Sequence, residues 1–397
     1  MDKSPPNTDN MEPTHTKHAK LARPATGLFG RNEWAILGTP CGNIQRLAFA
    51  LIERLQQHYA FAYVDADHAA ADAAATQGSN AHSALSSGAM LEYTDKITLH
   101  RFDWQAKMHD HQYRYHYNAV DVVLVNGNHF QANRQIVVID PKKEASLLKR
   151  LPQLTNIELV LRTEPNQAIY PFLQEKLQPD TPVLELSDIE GIAAFLKKQL
   201  AQTLPPLYGL VLAGGESRRM GEDKGALAYH AKPQREHAAD LLNSFCKRTF
   251  LSCRPKQQID TAYPVISDTF LDLGPYGAIL SAFRQYPDAA WLVVACDLPL
   301  LDAAALQQLL EQRHRSKIAT AFHNPETNFP EPLITIWEPR AYPVLLQWLA
   351  QGHSCPRKVL INSDIQIVQA ANPTALRNVN APAERDAVLA ILKKSTL

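Results

Sequence analysis

Leu207-Tyr208-Gly209-Leu210-Val211-Leu212-Ala213-Gly214-Gly215-Glu216-Ser217-Arg218-Arg219-Met220-Gly221-Glu222-Asp223-Lys224 is the stretch from which the chain is read. It opens on a near-continuous apolar run, the pattern of a strand covered on both faces of a sheet. A glycine-rich loop follows at once. Glycine lets the backbone approach a ligand closely, and successive amides in such a loop can point at phosphate oxygens. Arg218, Arg219 and Lys224 add positive charge to the same loop. Arg offers phosphate a planar fork, and Lys a point charge. A solvated basic turn is the plain alternative. The loop is not a Walker A sequence, because the Gly-Lys-Ser/Thr step is missing.

Working outward, residues 291–295 form a second apolar run that ends in Cys296-Asp297-Leu298-Pro299. In parallel α/β sheets, ligands bind outside the carboxyl ends of the strands. A carboxylate there can hold Mg²⁺, which keeps several waters and takes one or two carboxylates plus substrate phosphates. Asp268, after Val265-Ile266-Ser267, stands at another expected strand end. Either Asp alone could be an ordinary turn residue. Together with the loop they predict phosphoryl chemistry by positioning and charge neutralisation. Spacing reveals no Ser/His/Asp or Cys/His constellation, so no covalent intermediate is expected.

Strand and helix periods alternate along most of the chain. Strands are expected at 34–37, 61–64, 120–125, 135–138 and 158–161, with helices over 44–55 and 189–200. The pattern restarts around Leu204-Pro205-Pro206, which reads as a linker. Beyond it come helices at 235–245 and 278–284, a strand at 249–252, and a helix capped by Asp302. The expected fold is α/β, with two domains in series over 31–203 and 204–397. Residues 1–30 are polar and proline-containing and read as a disordered tail, and the Ala/Ser-rich stretch 69–89 as a mobile loop or frayed helix.

Composition narrows the function classes. With 40 basic and 40 acidic residues, nothing in the charge balance points to nucleic acid or a membrane surface. No apolar stretch is long enough to span a bilayer, and the N-terminus lacks a signal-peptide core. A cytoplasmic protein is expected. Its five cysteines are odd in number and widely spaced, which fits free thiols in a reducing compartment.

The segment from Leu212 to Lys224 resembles the signature of the molybdenum cofactor guanylyltransferase (MobA) family. Further motifs follow in the same order. They are Lys232-Pro233, Ser267-Asp268 with Gly274-Pro275-Tyr276-Gly277, Ala295-Cys296-Asp297-Leu298-Pro299, Glu331-Pro332-Leu333, Arg357-Lys358-Val359-Leu360 and Asn378-Val379-Asn380-Ala381-Pro382. The resemblance implies a Rossmann-like nucleotidyltransferase fold that uses Mg²⁺ and joins GMP from GTP to molybdopterin or Mo-molybdopterin. Leu212, Ala213, Gly214 and Gly215 would contact the nucleotide, as would Asp268. Arg219 and Lys224 would neutralise the triphosphate, and Asp297 would bind the metal. Arg357, Asn378 and Asn380 would face the molybdopterin. Molybdoenzymes or their chaperones are the implied further partners. The chain departs from the family at Ala231, where the family has glycine, and at Phe250-Leu251-Ser252-Cys253-Arg254. That strand lacks the asparagine many members place against the nucleotide, with Ser252 the nearest substitute.

In the N-terminal half, Leu37-Gly38-Thr39-Pro40-Cys41-Gly42-Asn43 follows a strand and opens a helix, as a P-loop does. Asn43 stands where the lysine belongs and Ile44 where Ser/Thr belongs. Residues 120–129, Val-Asp-Val-Val-Leu-Val-Asn-Gly-Asn-His, resemble the V-D-L-V-L-V-E-G segment of the MobB family, with Asn126 in place of the acid. The resemblance implies a P-loop-like α/β domain with a degenerate site, kept for docking or for channelling substrate. His109, His111, Tyr113 and Tyr115 alternate as one strand face would, and a solvated sheet face is favoured there over a metal site.

Two alternatives remain open on sequence. One is a cytidylyltransferase or sugar-phosphate nucleotidyltransferase of the same superfamily. The other is a non-catalytic adaptor that binds molybdopterin.

Overall fold

The structure is a computed structural model describing residues 32–65, 85, 87–95, 97–105, 108, 114–214, 224–379 and 382–395. The expected tail and most of the 69–89 stretch lie outside the described residues. The N-terminal half contributes β1 (Asn32–Leu37), β2 (Phe61–Val64), β3 (Leu91–Asp95), β4 (His100–Trp104), β5 (Val122–Asn126), β6 (Arg134–Ile139), β7 (Ile157–Arg162) and β8 (Val183–Glu185). The C-terminal half contributes β9 (Leu207–Leu212), β10 (Arg248–Cys253), β11 (Val265–Ser267), β12 (Ala290–Ala295), β13 (Ala319–Asn324), β14 (Phe329–Trp337) and β15 (Gln366–Gln369).

The strands β3 and β4 pair as a separate antiparallel ribbon, two large sheets form the cores, and the architecture is α/β. The first is parallel throughout, in the order β2-β5-β1-β6-β7-β8. The second has the order β11-β10-β9-β12-β14-β13-β15, with β14 alone running against its neighbours. Alternating side chains cover both faces of each sheet. Leu210, Trp291 and Val293 pack on one side with Ile279 and Phe283, while Val211, Leu292 and Val294 pack on the other with Leu242 and Leu306. In the first sheet Trp34 and Ile36 meet Leu51 and Leu196, and Leu37 and Val137 meet Leu147 and Leu173. Covering both faces with helices is what makes these strands read as unbroken apolar runs.

Departures from the sequence reading have local causes. The strand expected at 120–125 starts at Val122, because Asp121 turns its carboxylate to the amide of Ala60 (2.8 Å). β14 escapes the apolar pattern because Pro330, Glu331 and Pro332 interrupt it. Of the residues expected to share one strand face, Tyr115 lies instead in a 3-10 turn, Arg114–Tyr117, and His109, His111 and Tyr113 lie outside the described residues. Among the described residues no cluster of His, Cys, Asp and Glu could hold a metal, and no helix is long and apolar enough to cross a membrane.

The two halves meet through the amino ends of their parallel strands. Asp121, just before β5, accepts from the guanidinium of Arg340 and from Ser316 Oγ. Arg340 also donates to the carbonyl of Ser316 (2.9 Å), and Asn118 donates to the carbonyl of Arg340 (3.1 Å). Beside this tie, Arg313 grips both oxygens of the buried Glu338 at 2.6 and 2.9 Å.

Candidate functional site

The opposite, carboxyl edge of the second sheet gathers most of the described sequence-predicted residues. β9 runs out into Ala213, whose amide donates to the carbonyl of Ser252 (3.1 Å) and whose carbonyl accepts from Gln257 (3.3 Å). Gly214 lies against β10: a Cβ there would stand 3.3 Å from the amide nitrogen of Arg254. A side chain there would be a tight fit that requires the neighbouring backbone to give by a few tenths of an ångström, so glycine here eases a close backbone approach. Gly215, Arg219 and Asn380 lie outside the described residues, as does the side chain of Lys224.

Next along the edge, Asp268 follows β11. Its amide donates to the carbonyl of Cys253 (2.9 Å), and its carboxylate accepts from Ser252 Oγ (2.9 Å). Burial raises the pKa of this carboxyl above the ordinary range, and the Ser252 bond opposes that shift. Ser252, at the position where the family places asparagine, thus orients the carboxylate.

The loop after β12 is held through three successive backbone carbonyls. Asp297 O accepts from the amide of Val379 (2.9 Å), Leu298 O from Gln234 Nε2 (3.3 Å), and Pro299 O from His230 Nε2 (2.8 Å). Gln234 and His230 come from one short stretch of the chain, and Val379 from its C-terminal part. Gln234 is 1% exposed and its Oε1 finds no partner. Leaving a buried acceptor unmade costs about 1–3 kcal/mol, a cost tolerated here at a residue that fixes the loop. The ring of His230 stacks on His237, with centroids 3.7 Å apart and planes 13° from parallel. Burial first, then the neighbouring His230 and Lys232, push His237 down to about 4. Oδ1 of Asp297 is out of contact with solvent. The hydroxyl of Tyr229 has its pKa raised by burial; Arg385 opposes the shift, and Asp297 and Cys296 add to it. Tyr229 and Arg385 therefore stand in the field of the loop. Sequence reasoning named neither them nor His230 and Gln234.

β14 runs antiparallel to β12, so its first residues lie at this same edge. There the buried Glu331 accepts from Asn324 (3.2 Å) and stands 3.7 Å from the guanidinium of Arg357. Nε of Arg357 is buried without a hydrogen-bond partner. Asn378 is exposed and immediately precedes the Val379 that braces Asp297. The structure thus brings Leu212, Ala213, Gly214, Asp268, Asp297, Arg357 and Asn378 to one edge.

The P-loop-like segment of the first sheet is filled by its own side chains. Thr39 Oγ1 donates to Asp140 (2.7 Å), Asn43 Nδ2 donates to Thr39 Oγ1 (2.9 Å), and Asn128 Nδ2 donates to Thr39 O (3.0 Å). Gly38 has φ of +97°, and a Cβ there would stand 2.3 Å from the carbonyl oxygen of Val138. Three residues separate Gly38 from Gly42, where a Walker A loop has four. The segment keeps the strand-to-helix turn without the phosphate cradle.

Residues 209–367 match a family model described as the MobA-like NTP transferase domain. A molybdenum cofactor biosynthesis bifunctional protein from Synechocystis is 36% identical over 47% of this chain. The chain spans about half of that relative, 54% of its length. A molybdenum cofactor guanylyltransferase from Pseudomonas paraeruginosa is 30% identical, over 45% of this chain and 92% of the relative. The crystal structure of molybdopterin-guanine dinucleotide biosynthesis protein A from Archaeoglobus fulgidus covers 47% of the chain and 99% of its own, at 22% identity and a TM-score of 0.42. On the shared ordered motifs and the near-complete span of the Pseudomonas relative, the chain belongs, through its C-terminal half, to the molybdenum cofactor guanylyltransferase family of nucleotidyltransferases.

Proposed function

We propose that the C-terminal half transfers GMP from GTP to the terminal phosphate of molybdopterin or Mo-molybdopterin. An oxygen of that phosphate attacks the α-phosphorus of GTP. The bond from the α-phosphorus to the oxygen bridging to the β-phosphorus breaks, and pyrophosphate leaves. The product is the guanine dinucleotide of molybdopterin. The observation that carries this reading is the convergence, at one sheet edge, of the start of the glycine-rich loop, the half-buried Asp268, the braced Asp297 and the partly satisfied Arg357.

The roles proposed are those the family resemblance implies, supported for the described residues by their place at this edge. Leu212, Ala213, Gly214 and Gly215 hold the nucleotide against β10. Asp268, oriented by Ser252, contacts the nucleotide as well. Arg219 and Lys224 neutralise the triphosphate and the departing pyrophosphate. Arg357, with a donor to spare, and Asn378 and Asn380 receive the molybdopterin phosphate. The buried oxygen of Asp297 suits a hard divalent cation, and Mg²⁺ is the ion proposed. When bound, it supplies charge neutralisation between the reacting phosphates. The reaction belongs in the cytoplasm, where GTP is at hand, and molybdoenzymes or their chaperones would take up the product.

The test supplies each α-labelled nucleoside triphosphate with molybdopterin and Mg²⁺ and follows label in the dinucleotide. GTP should be preferred strongly over CTP and ATP. Preference for CTP would move the protein to the cytidylyl branch, and absence of transfer from any of them would leave the adaptor reading.

A further inference from the structure

Between the two halves, at the amino edges of both sheets, lies a cavity of about 480 Å³. It is remote in the fold from the carboxyl edge described above. Its size is that of small-molecule sites, which run from about 300 to 1,000 Å³. Its walls carry Lys197, Arg313, Arg315 and Arg340 against two carboxylates, Asp121 and Glu338. Both acids are already engaged. Glu338 takes Arg313 through both its oxygens, and Asp121 takes Arg340. Lys197 comes from the helix Ile189–Gln202 of the N-terminal half, and Arg315 from the loop before β13. Among the described residues neither forms a salt bridge, although Glu338 lies in the field of Arg315 and Glu190 in that of Lys197. Glu190, two turns before Lys197 on the same helix, is taken by Arg54.

We propose that this cleft binds a small anion bearing a phosphate group, held between Lys197 of one half and Arg315 of the other. Two cations that line one cavity from two halves, neither held in a salt bridge among the described residues, suit an anion that both can share. Burial and the neighbouring Arg313 disfavour the charge on Arg315, with Glu338 and Tyr59 opposing, so an anion beside it relieves a strain the protein carries alone. His58 and His314 stand in the same wall as further hydrogen-bond groups. The bound phosphate would bridge the halves at the face where Arg340 and Asp121 already tie them, making the tie sensitive to a metabolite.

The full-length protein, saturated with GTP and Mg²⁺ but without acceptor, is titrated with inorganic phosphate by calorimetry. Phosphate should bind the GTP-loaded protein and bind more weakly as ionic strength rises. Lys197→Gln and Arg315→Gln should each weaken phosphate by about tenfold, as loss of one charged hydrogen bond does, and leave GTP affinity unchanged. GMP provides the second arm. Tighter binding than phosphate, with the same loss in both variants, assigns the phosphate to a nucleotide; equal binding assigns it to the free anion. Phosphate binding that is absent from the wild type, displaced by GTP, or unaltered in both variants overturns the proposal. Because the variants are read on phosphate, failure of the guanylyl reading would leave this outcome legible.

Discussion

Asp297 is where the proposed chemistry is concentrated, yet its side chain explains only part of its placement. The residue is set by its backbone: three carbonyls in a row are tethered, and His230 donates to the last of them. His230 in turn leans on His237, whose charged form is disfavoured by burial. An unfolded His237 takes up its proton near 6.5, the folded one only near 4. Between those values the unfolded chain binds more protons, so stability is full above the window and is lost as pH falls through it. His237→Gln should flatten that slope. The urea midpoint followed from neutral to acid pH measures it, and a slope equal to wild type would remove His237 from the account. At this scale the carboxylates were legible, because Asp268 and Asp297 directly follow apolar runs. His230, Gln234, Tyr229 and Arg385 were not. They act through contacts that only the folded chain creates, such as the bond from His230 to a carbonyl 69 positions away.

Elements decide which edge of each sheet can work. The second sheet offers its carboxyl edge with the glycine-rich loop, and the brace from His230 and Gln234 holds the loop after β12 in register with it. Outer positioning groups of this kind typically cost 10- to 100-fold in activity or metal affinity when removed, roughly the range expected for Gln234→Ala and His230→Ala. Both should raise the Mg²⁺ concentration needed for half-maximal transfer, and His230→Gln, which keeps a donor, should recover part of the loss. Unaltered Mg²⁺ dependence would reduce the brace to packing. The first sheet shows the opposite case. Its turn at Gly38 keeps the geometry, but Asn43 bonds back to Thr39 and Ile44 offers no oxygen to a metal. Full-length Asp297→Ala protein should therefore show no Mg²⁺-dependent GTP hydrolysis. Turnover like that of an ordinary P-loop GTPase would mean that the phosphate loop lies elsewhere. Buried parallel strands could be read from the sequence because both their faces are apolar. β15, half exposed with the pattern Gln-Ile-Val-Gln, and the proline-interrupted β14 could not.

At the scale of the whole molecule, the halves dock amino edge to amino edge, so the two carboxyl edges face away from one another. Direct channelling from the P-loop-like segment to the transferase edge does not suit that arrangement, and docking through the Asp121–Arg340 tie does. Arg340 is 3% exposed, and removing its carboxylate partner leaves a buried charge uncompensated, which typically costs about 3–5 kcal/mol. Asp121→Ala should lower the melting temperature of the full chain while GTP affinity persists. A melting temperature like that of the wild type would show that the tie carries no weight. Nothing in the sequence announced this contact, since its partners stand 219 positions apart in different halves.

Guanylyl transfer at the edge that holds Asp297 is open to a test with a single variant. Wild-type protein and Asp297→Ala are given α-labelled GTP, Mg²⁺ and molybdopterin, with circular dichroism and thermal unfolding recorded on both. The wild type should yield labelled guanine dinucleotide and one pyrophosphate per turnover, with transfer abolished in a variant whose fold is intact. Near-normal transfer by the folded variant would contradict that assignment.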